Sequence, residues 1–170
     1  MARYLIANGP MQTTAAFAAV TTGTAIKTML QVKPSATLGM RIIEWGISFD
    51  GSAAATPIKV ELIETDVAAT VTASVANDIT KYDADALSGG DPTTNLIQVG
   101  TTSTGYTATA EGTITAVRNL DGPQFVAPTN QYIKQFPLGE RPFVQISKFM
   151  RIRVTAGVAV NAYCYVIVEV

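Results

Sequence analysis

Residues 151–170 read RIRVTAGVAVNAYCYVIVEV. In an extended strand, successive side chains point to opposite faces. Val160, Ala162, Cys164, Val166 and Val168 therefore share one face, and Tyr163, Tyr165 and Ile167 share the other. A strand with one wetted side needs a single apolar face, whereas this one needs a cover on both. The valine face predicts a second layer packed against the sheet. The tyrosine face predicts either a partner copy or a loop from residues 66–110 folded across it. Just upstream, Met150, Ile152 and Val154 alternate with Arg151, Arg153 and Thr155. The Ala156-Gly157 turn between the two runs predicts a terminal hairpin.

The same period of two recurs upstream. Residues 27–33 form a short apolar run before Pro34. In residues 40–51, Ile43, Trp45, Ile47 and Phe49 face one way and Ile42, Glu44, Gly46 and Ser48 the other, before an Asp50-Gly51 turn. Residues 57–65 set Ile58, Val60 and Leu62 opposite Lys59, Glu61 and Ile63, so residues 40–65 are predicted to be a hairpin. Residues 66–110 are less regular, with Gly-Gly and Asp-Pro breakers. Residues 111–123 alternate again until Asp121-Gly122-Pro123. No segment carries the spacing of three and four that a helix requires. The chain reads as all-β: an antiparallel β-sandwich, jelly-roll-like, rather than an up-and-down barrel, because the connections are uneven. Residues 1–25 form an N-terminal arm or first strand, and residues 26–170 one sandwich domain.

Composition narrows the function. The chain is 48% hydrophobic and only 15% charged, below the roughly 25% of an average soluble domain. No run approaches the ~20 apolar residues that cross a bilayer, so no membrane partner is expected. A surface so poor in charge points to coverage by other molecules. The net charge of −1 gives no nucleic-acid signature. Charges are nevertheless grouped: acids prevail over residues 61–91 and bases over residues 134–153. Patches of opposite sign pair within a fold, between subunits, or with a partner. The start of the chain lacks the apolar core of a secretory signal, so synthesis in the cytosol is expected.

Chemistry is scarce. Without histidine, Ser-His-Asp and Cys-His arrangements and histidine-ligated metals are excluded. The lone Cys164 allows no intrachain disulfide and reads as packing. Asp83 and Asp85 resemble half a calcium loop without the glycine and glutamate that complete one. The stretch GTTSTG lacks the ending of a phosphate loop. Arg141, Lys148, Arg151 and Arg153, interleaved with Phe143 and Phe149, could line a nucleic-acid face, but an ion-paired strand face explains them better. No enzyme, metal or cofactor is expected.

The last fifty residues carry a resemblance. Pro137-Leu138-Gly139, Pro142, Arg151-Ile152-Arg153-Val154-Thr155-Ala156 and Val160-Asn161-Ala162-Tyr163 are similar to the end of small virion proteins of tailed bacteriophages. The likeness is one of turns and packing, and it covers the middle of the chain only loosely. It implies a capsid decoration (cement) protein on the outside of the phage head. Such proteins commonly form a homotrimer that bridges neighbouring copies of the major capsid protein, and some resemble the tumour-necrosis-factor trimer. On this reading Tyr163, Tyr165 and Ile167 form the subunit interface. Arg3, Tyr4, Leu5 and Ile6 form an arm that orders on the shell. Two other structural classes remain open. One is a carbohydrate-binding jelly roll using Tyr82, Tyr106 or Tyr132; the other is a tail or head-fibre protein.

Overall fold

A computed structural model describes residues 2–10, 12–14, 16–51, 56–82 and 96–170. Asp83 and Asp85 lie outside the described residues. The strands, in chain order, begin with β1 (Arg3–Ala7), β2 (Val20–Thr21), β3 (Ile26–Pro34), β4 (Met40–Phe49) and β5 (Ile58–Thr65). Next come β6 (Thr70–Ala73), β7 (Ile79–Lys81), β8 (Ile97–Gln98), β9 (Gly105–Ala110) and β10 (Val117–Val126). The series closes with β11 (Gln131–Gln135), β12 (Phe143–Val144), β13 (Phe149–Thr155) and β14 (Asn161–Glu169). No α-helix occurs among the described residues; Ala76–Asp78 form one 3-10 turn.

These strands make two antiparallel sheets packed face to face. The first runs β11-β4-β14-β1-β7, with β12 beside β4 and β2 beside β14. The second runs β10-β5-β13-β3-β9-β6, with β8 beside β3. Trp45, Ile47 and Phe49 of β4, with Cys164, Val166 and Val168 of β14, meet Val60 and Leu62 of β5 and Ile152 and Val154 of β13 in one buried core. The expected antiparallel sandwich is present, and the chain changes sheet from β3 to β4, from β4 to β5 and from β13 to β14.

Neither predicted hairpin forms. β4 pairs with β14, β11 and β12, whereas β5 pairs with β10 and β13 in the opposite sheet. β13 and β14 likewise lie in different sheets. β4 therefore ends in one layer and β5 begins in the other, and residues 156–160 form an arch across the ~10 Å between layers. Ala156 and Val160, at the two ends of this arch, are buried as an arch threading the core edge demands. Strand alternation reports which face is apolar and says nothing of which strand lies alongside.

Two further readings are corrected. Ile42 is in the core and Ile43 is only half-buried, because Ile167 pairs with Glu44 while the next residue, Val168, pairs with Ile42. This bulge shifts the alternation by one at that point and lets Ile42 and Trp45 both face inward. The alternation read over residues 111–123 is a strand only from Val117, and that strand continues past Asp121-Gly122-Pro123, an irregularity inside β10 with Gly122 at φ +104°. It carries Asp121 toward the first sheet, where the carboxylate accepts from Trp45 Nε1 at 3.0 Å and Tyr132 Oη at 3.0 Å. One acid on the second sheet thus tethers two aromatics of the first.

The N-terminal residues are a strand. β1 pairs with β14 from Arg3↔Glu169 to Ala7↔Tyr165 and with β7 on its other side. Tyr4 and Ile6 are buried in the chain's own core, which corrects the reading of Arg3, Tyr4, Leu5 and Ile6 as a shell-gripping arm. The alternation Tyr4-Leu5-Ile6 is too short to identify a strand without knowing that β14 runs beside it. Past Ala7, buried Asn8 continues the ladder with its side chain: Nδ2 donates to the Ala162 carbonyl at 3.1 Å, and Oδ1 accepts from Cys164 N at 2.9 Å.

Candidate functional site

The tyrosine side of β14 lies on the outer face of the first sheet, and register assembles the site from five strands. Tyr163 sits opposite Ser48, Tyr165 opposite Gly46, and Ile167 opposite Glu44. On the other flank Ala7 faces Tyr165 and Leu5 faces Ile167. Beyond β4, Ile133 of β11 pairs with Gly46; beyond β1, Thr80 of β7 pairs with Leu5. Tyr163, Tyr165, Ile167 and Leu5 are each half-buried, and Ile133 and Tyr82 are about half exposed, at 51% and 50%. The result is an apolar strip bordered by Gln131, Gln135, Glu44 and Thr80.

Small neighbours shape this strip. Tyr165 lies flat on the sheet because Gly46 has no side chain: a Cβ there would stand 2.6 Å from the tyrosine ring. Its Oη donates to Glu44 Oε1 at 2.6 Å, which satisfies the polar tip and fixes the ring. Tyr163 stands 6.0 Å from Tyr165, centroid to centroid, and receives the edge of Phe17 at 4.8 Å. Phe17, from the segment between β1 and β2, covers part of the tyrosine face from within the chain. Beside it an open cavity of about 270 Å³ has Leu5, Ala7, Phe17, Thr80 and Tyr163 in its walls.

Electrostatics keep these phenols neutral. Burial, then the hydrogen bond to Glu44, pushes the Tyr165 phenol well above its ordinary value. Burial raises Tyr163 and Tyr82 as well, with the Glu44 charge adding to the second. Tyr132 is pushed up to about 12 by burial and by its bond to Asp121. A raised folded-state value means that the contribution to stability is full below about pH 10, the unfolded phenol's value, and is lost as the pH climbs toward 12. The expected alkaline titration of phenolate absorbance is therefore delayed past pH 10 in the native protein and coincides with loss of β-sheet circular dichroism. Complete phenol ionisation near pH 10 with the fold intact would contradict these contacts.

Several of the remaining charges are paired locally. Arg153 pairs with Glu61, Arg118 with Glu64, and Arg141 with Glu169 at 2.7 Å. Arg151, whose side chain is 0% exposed, is held by Glu111 and by Val67 on the outer side of the second sheet. Its Nη1 donates to the Glu111 carbonyl at 3.0 Å and to Glu111 Oε2 at 3.3 Å, and its Nη2 donates to the Val67 carbonyl. Arg151 and Arg153 share a strand face, as the alternation predicts, but that face is ion-paired and Arg151 is closed to any ligand. Among the described residues the acidic and basic stretches of the sequence are joined by the pair of Glu61 and Arg153. Asp66 accepts from Thr115 and Ala116, and those bonds hold its carboxyl at about 2.

Reactive groups do not converge. Cys164 is fully buried, and burial pushes its thiol up. Among the described residues no three of Cys, Asp or Glu could hold a metal ion. Of the tyrosines considered for sugar stacking, Tyr132 is packed 5.3 Å from Trp45 and Tyr106 is half-buried on β9, which leaves Tyr82 as the exposed ring.

The site therefore joins the three predicted interface residues with one predicted arm residue, Leu5, and adds Gly46, Phe17 and Ile133. A glycine in mid-strand is the only sequence signal for that addition, since Gly in a strand often marks the close approach of another group. Comparison with protein-family models, curated proteins and solved structures gave no match to this chain.

Proposed function

We propose that the chain is a capsid decoration (cement) protein. It forms a homotrimer through the outer face of its first sheet and stabilises a phage head from outside by binding the major capsid protein. The observation that carries this reading is the tyrosine face itself. Tyr163, Tyr165, Ile167 and Leu5 remain only half-buried in the isolated chain, and they adjoin exposed Ile133 and Tyr82. Aromatic residues with one dry and one hydrogen-bonded end are enriched where subunits meet. Completing the burial of each large side chain contributes part of the roughly 1.5–3 kcal/mol that full burial provides, before association costs are subtracted. A closed ring of three copies repeats the gain three times, and a trimer attached to a shell holds on through several weak contacts at once. The chemistry-poor surface and the resemblance of residues 137–163 to virion proteins support the same reading.

The test is to mix the purified protein with expanded heads of the encoding phage assembled without it. Retention at low salt, with heads that withstand greater heat than undecorated ones, is expected. Heads that sediment without the protein under those conditions would overturn the proposal.

A further inference from the structure

The corrected position of β1 leaves a decoration protein without its arm, so another surface must meet the shell. Register identifies one end of the sandwich: β4, β13 and β10 begin there, and β3, β5, β12 and β14 finish there. At this end Leu38, Val117, Phe143 and Ile146 are 51%, 57%, 42% and 47% exposed. Leu138, at the tip of the neighbouring 137–140 turn, is 85% exposed. Single exposed apolar residues are ordinary, but a group of them at one end of a molecule marks an interaction surface.

Local contacts draw this group together. Phe143 packs against Gly39, the neighbour of Leu38, where a Cβ would collide with its ring. The Phe143 carbonyl accepts from Arg118, and the Arg41 guanidinium lies 5.4 Å from the Phe143 ring centroid. Val117 and Lys148 line the same open cavity of about 220 Å³.

Outside ion pairs the acids of this rim are Glu140, in the 137–140 turn, and Asp66, whose carboxylate is taken up by Thr115 and Ala116, and the cations outnumber them. Glu64 and Glu169 are neutralised by Arg118 and Arg141. Lys33, Arg41 and Lys148 enter none of the ion pairs among the described residues.

Resting on the decoration reading, we propose that this end, and not the N-terminal segment, is the shell-binding surface. Its occupant is an apolar patch of the capsid protein bordered by carboxylates. The apolar group supplies the dry centre of the contact, and Lys33, Arg41 and Lys148 set its register and its salt dependence.

The experiment uses full-length protein and heads of the encoding phage assembled without it. Wild type is compared with Leu38→Asp/Ile146→Asp and with Lys148→Glu by co-sedimentation, alongside native mass and melting temperature. All three positions are at least partly open to solvent, so the variants are expected to fold and to keep the wild-type mass. The double variant is expected to bind heads at least about tenfold more weakly, as loss of central interface residues does. Lys148→Glu is expected to weaken binding at low salt and to approach wild type at high salt. If wild type binds and the double variant binds equally well, this surface is wrong and the decoration reading stands. If wild type itself does not bind, the decoration reading fails and this inference fails with it. If the double variant loses its fold or native mass, the single changes Leu38→Ser and Ile146→Ser decide by the same criteria.

Discussion

Replacing Glu111 with alanine is expected to lower stability by about 3–5 kcal/mol, the cost of leaving a buried charge without its partner. Arg151 is wholly enclosed, and among the described residues the carboxylate of Glu111 is its ion-pair partner. The same carboxylate accepts from Thr28 N at 2.5 Å and from Thr28 Oγ1 at 2.6 Å, so the change also orphans two donors at β3. Burial already works against the guanidinium charge, and Glu111 is the largest influence opposing that effect. Arg151→Met makes the informative contrast. It removes the buried charge and keeps most of the volume, while Glu111, whose side chain is 22% exposed, can turn to water. Replacing a buried ionic group by apolar volume is often close to neutral. The expected order is therefore Glu111→Ala well below Arg151→Met in denaturant midpoint, at an unchanged unfolding slope. Domains of this kind are stable by only about 5–15 kcal/mol, so the first change removes a large share. The reverse order would mean that the arginine acts through its packing rather than through its charge.

Tyr165→Asp is expected to dissociate the proposed trimer while leaving the single-chain fold intact. The substitution removes a flat aromatic surface and the donor to Glu44, and it sets a second carboxylate where Glu44 Oε1 now accepts a hydrogen bond. Like charges brought together in a dry contact are unfavourable, and the symmetry of a ring repeats the penalty at each junction. An interface residue of this kind contributes 2 kcal/mol or more, or roughly 30-fold in affinity per contact. Because the side chain points away from the core, the melting of the dissociated chain is expected to remain cooperative. Tyr165→Phe keeps the ring on Gly46 and loses only the hydroxyl, so it is expected to preserve assembly. Native mass and circular dichroism on the two variants check both statements.

Much of the fold was legible in the periodicity of the chain. The alternations at residues 40–49, 58–65, 149–155 and 161–169 identify four long strands, and the double apolarity of the last one calls for two layers. The pairing of those strands was not legible. An apolar face says what a strand covers, while its neighbours depend on contacts between residues more than a hundred positions apart, such as Tyr165 with Gly46 and Leu5 with Ile167. For the same reason the turn residues after β4 and β13 read as hairpins although the strands that follow lie in the other sheet, and a bulge at Ile43-Glu44 goes unseen. The tyrosine half of the site follows from odd-numbered positions on one strand. Phe17 and Ile133 reach it from segments with no strong pattern of their own. Arg151 illustrates the opposite case: its strand face was predictable, but its burial involves Glu111 and Val67, which belong to segments outside the strands.

The central claim is that the outer face of the first sheet is dry because sister copies cover it. Native mass of the free protein at micromolar concentration tests it most directly. The account predicts a species of about three times the 17.9 kDa chain mass. A single-chain mass, with Tyr163 and Tyr165 open to water, would contradict it.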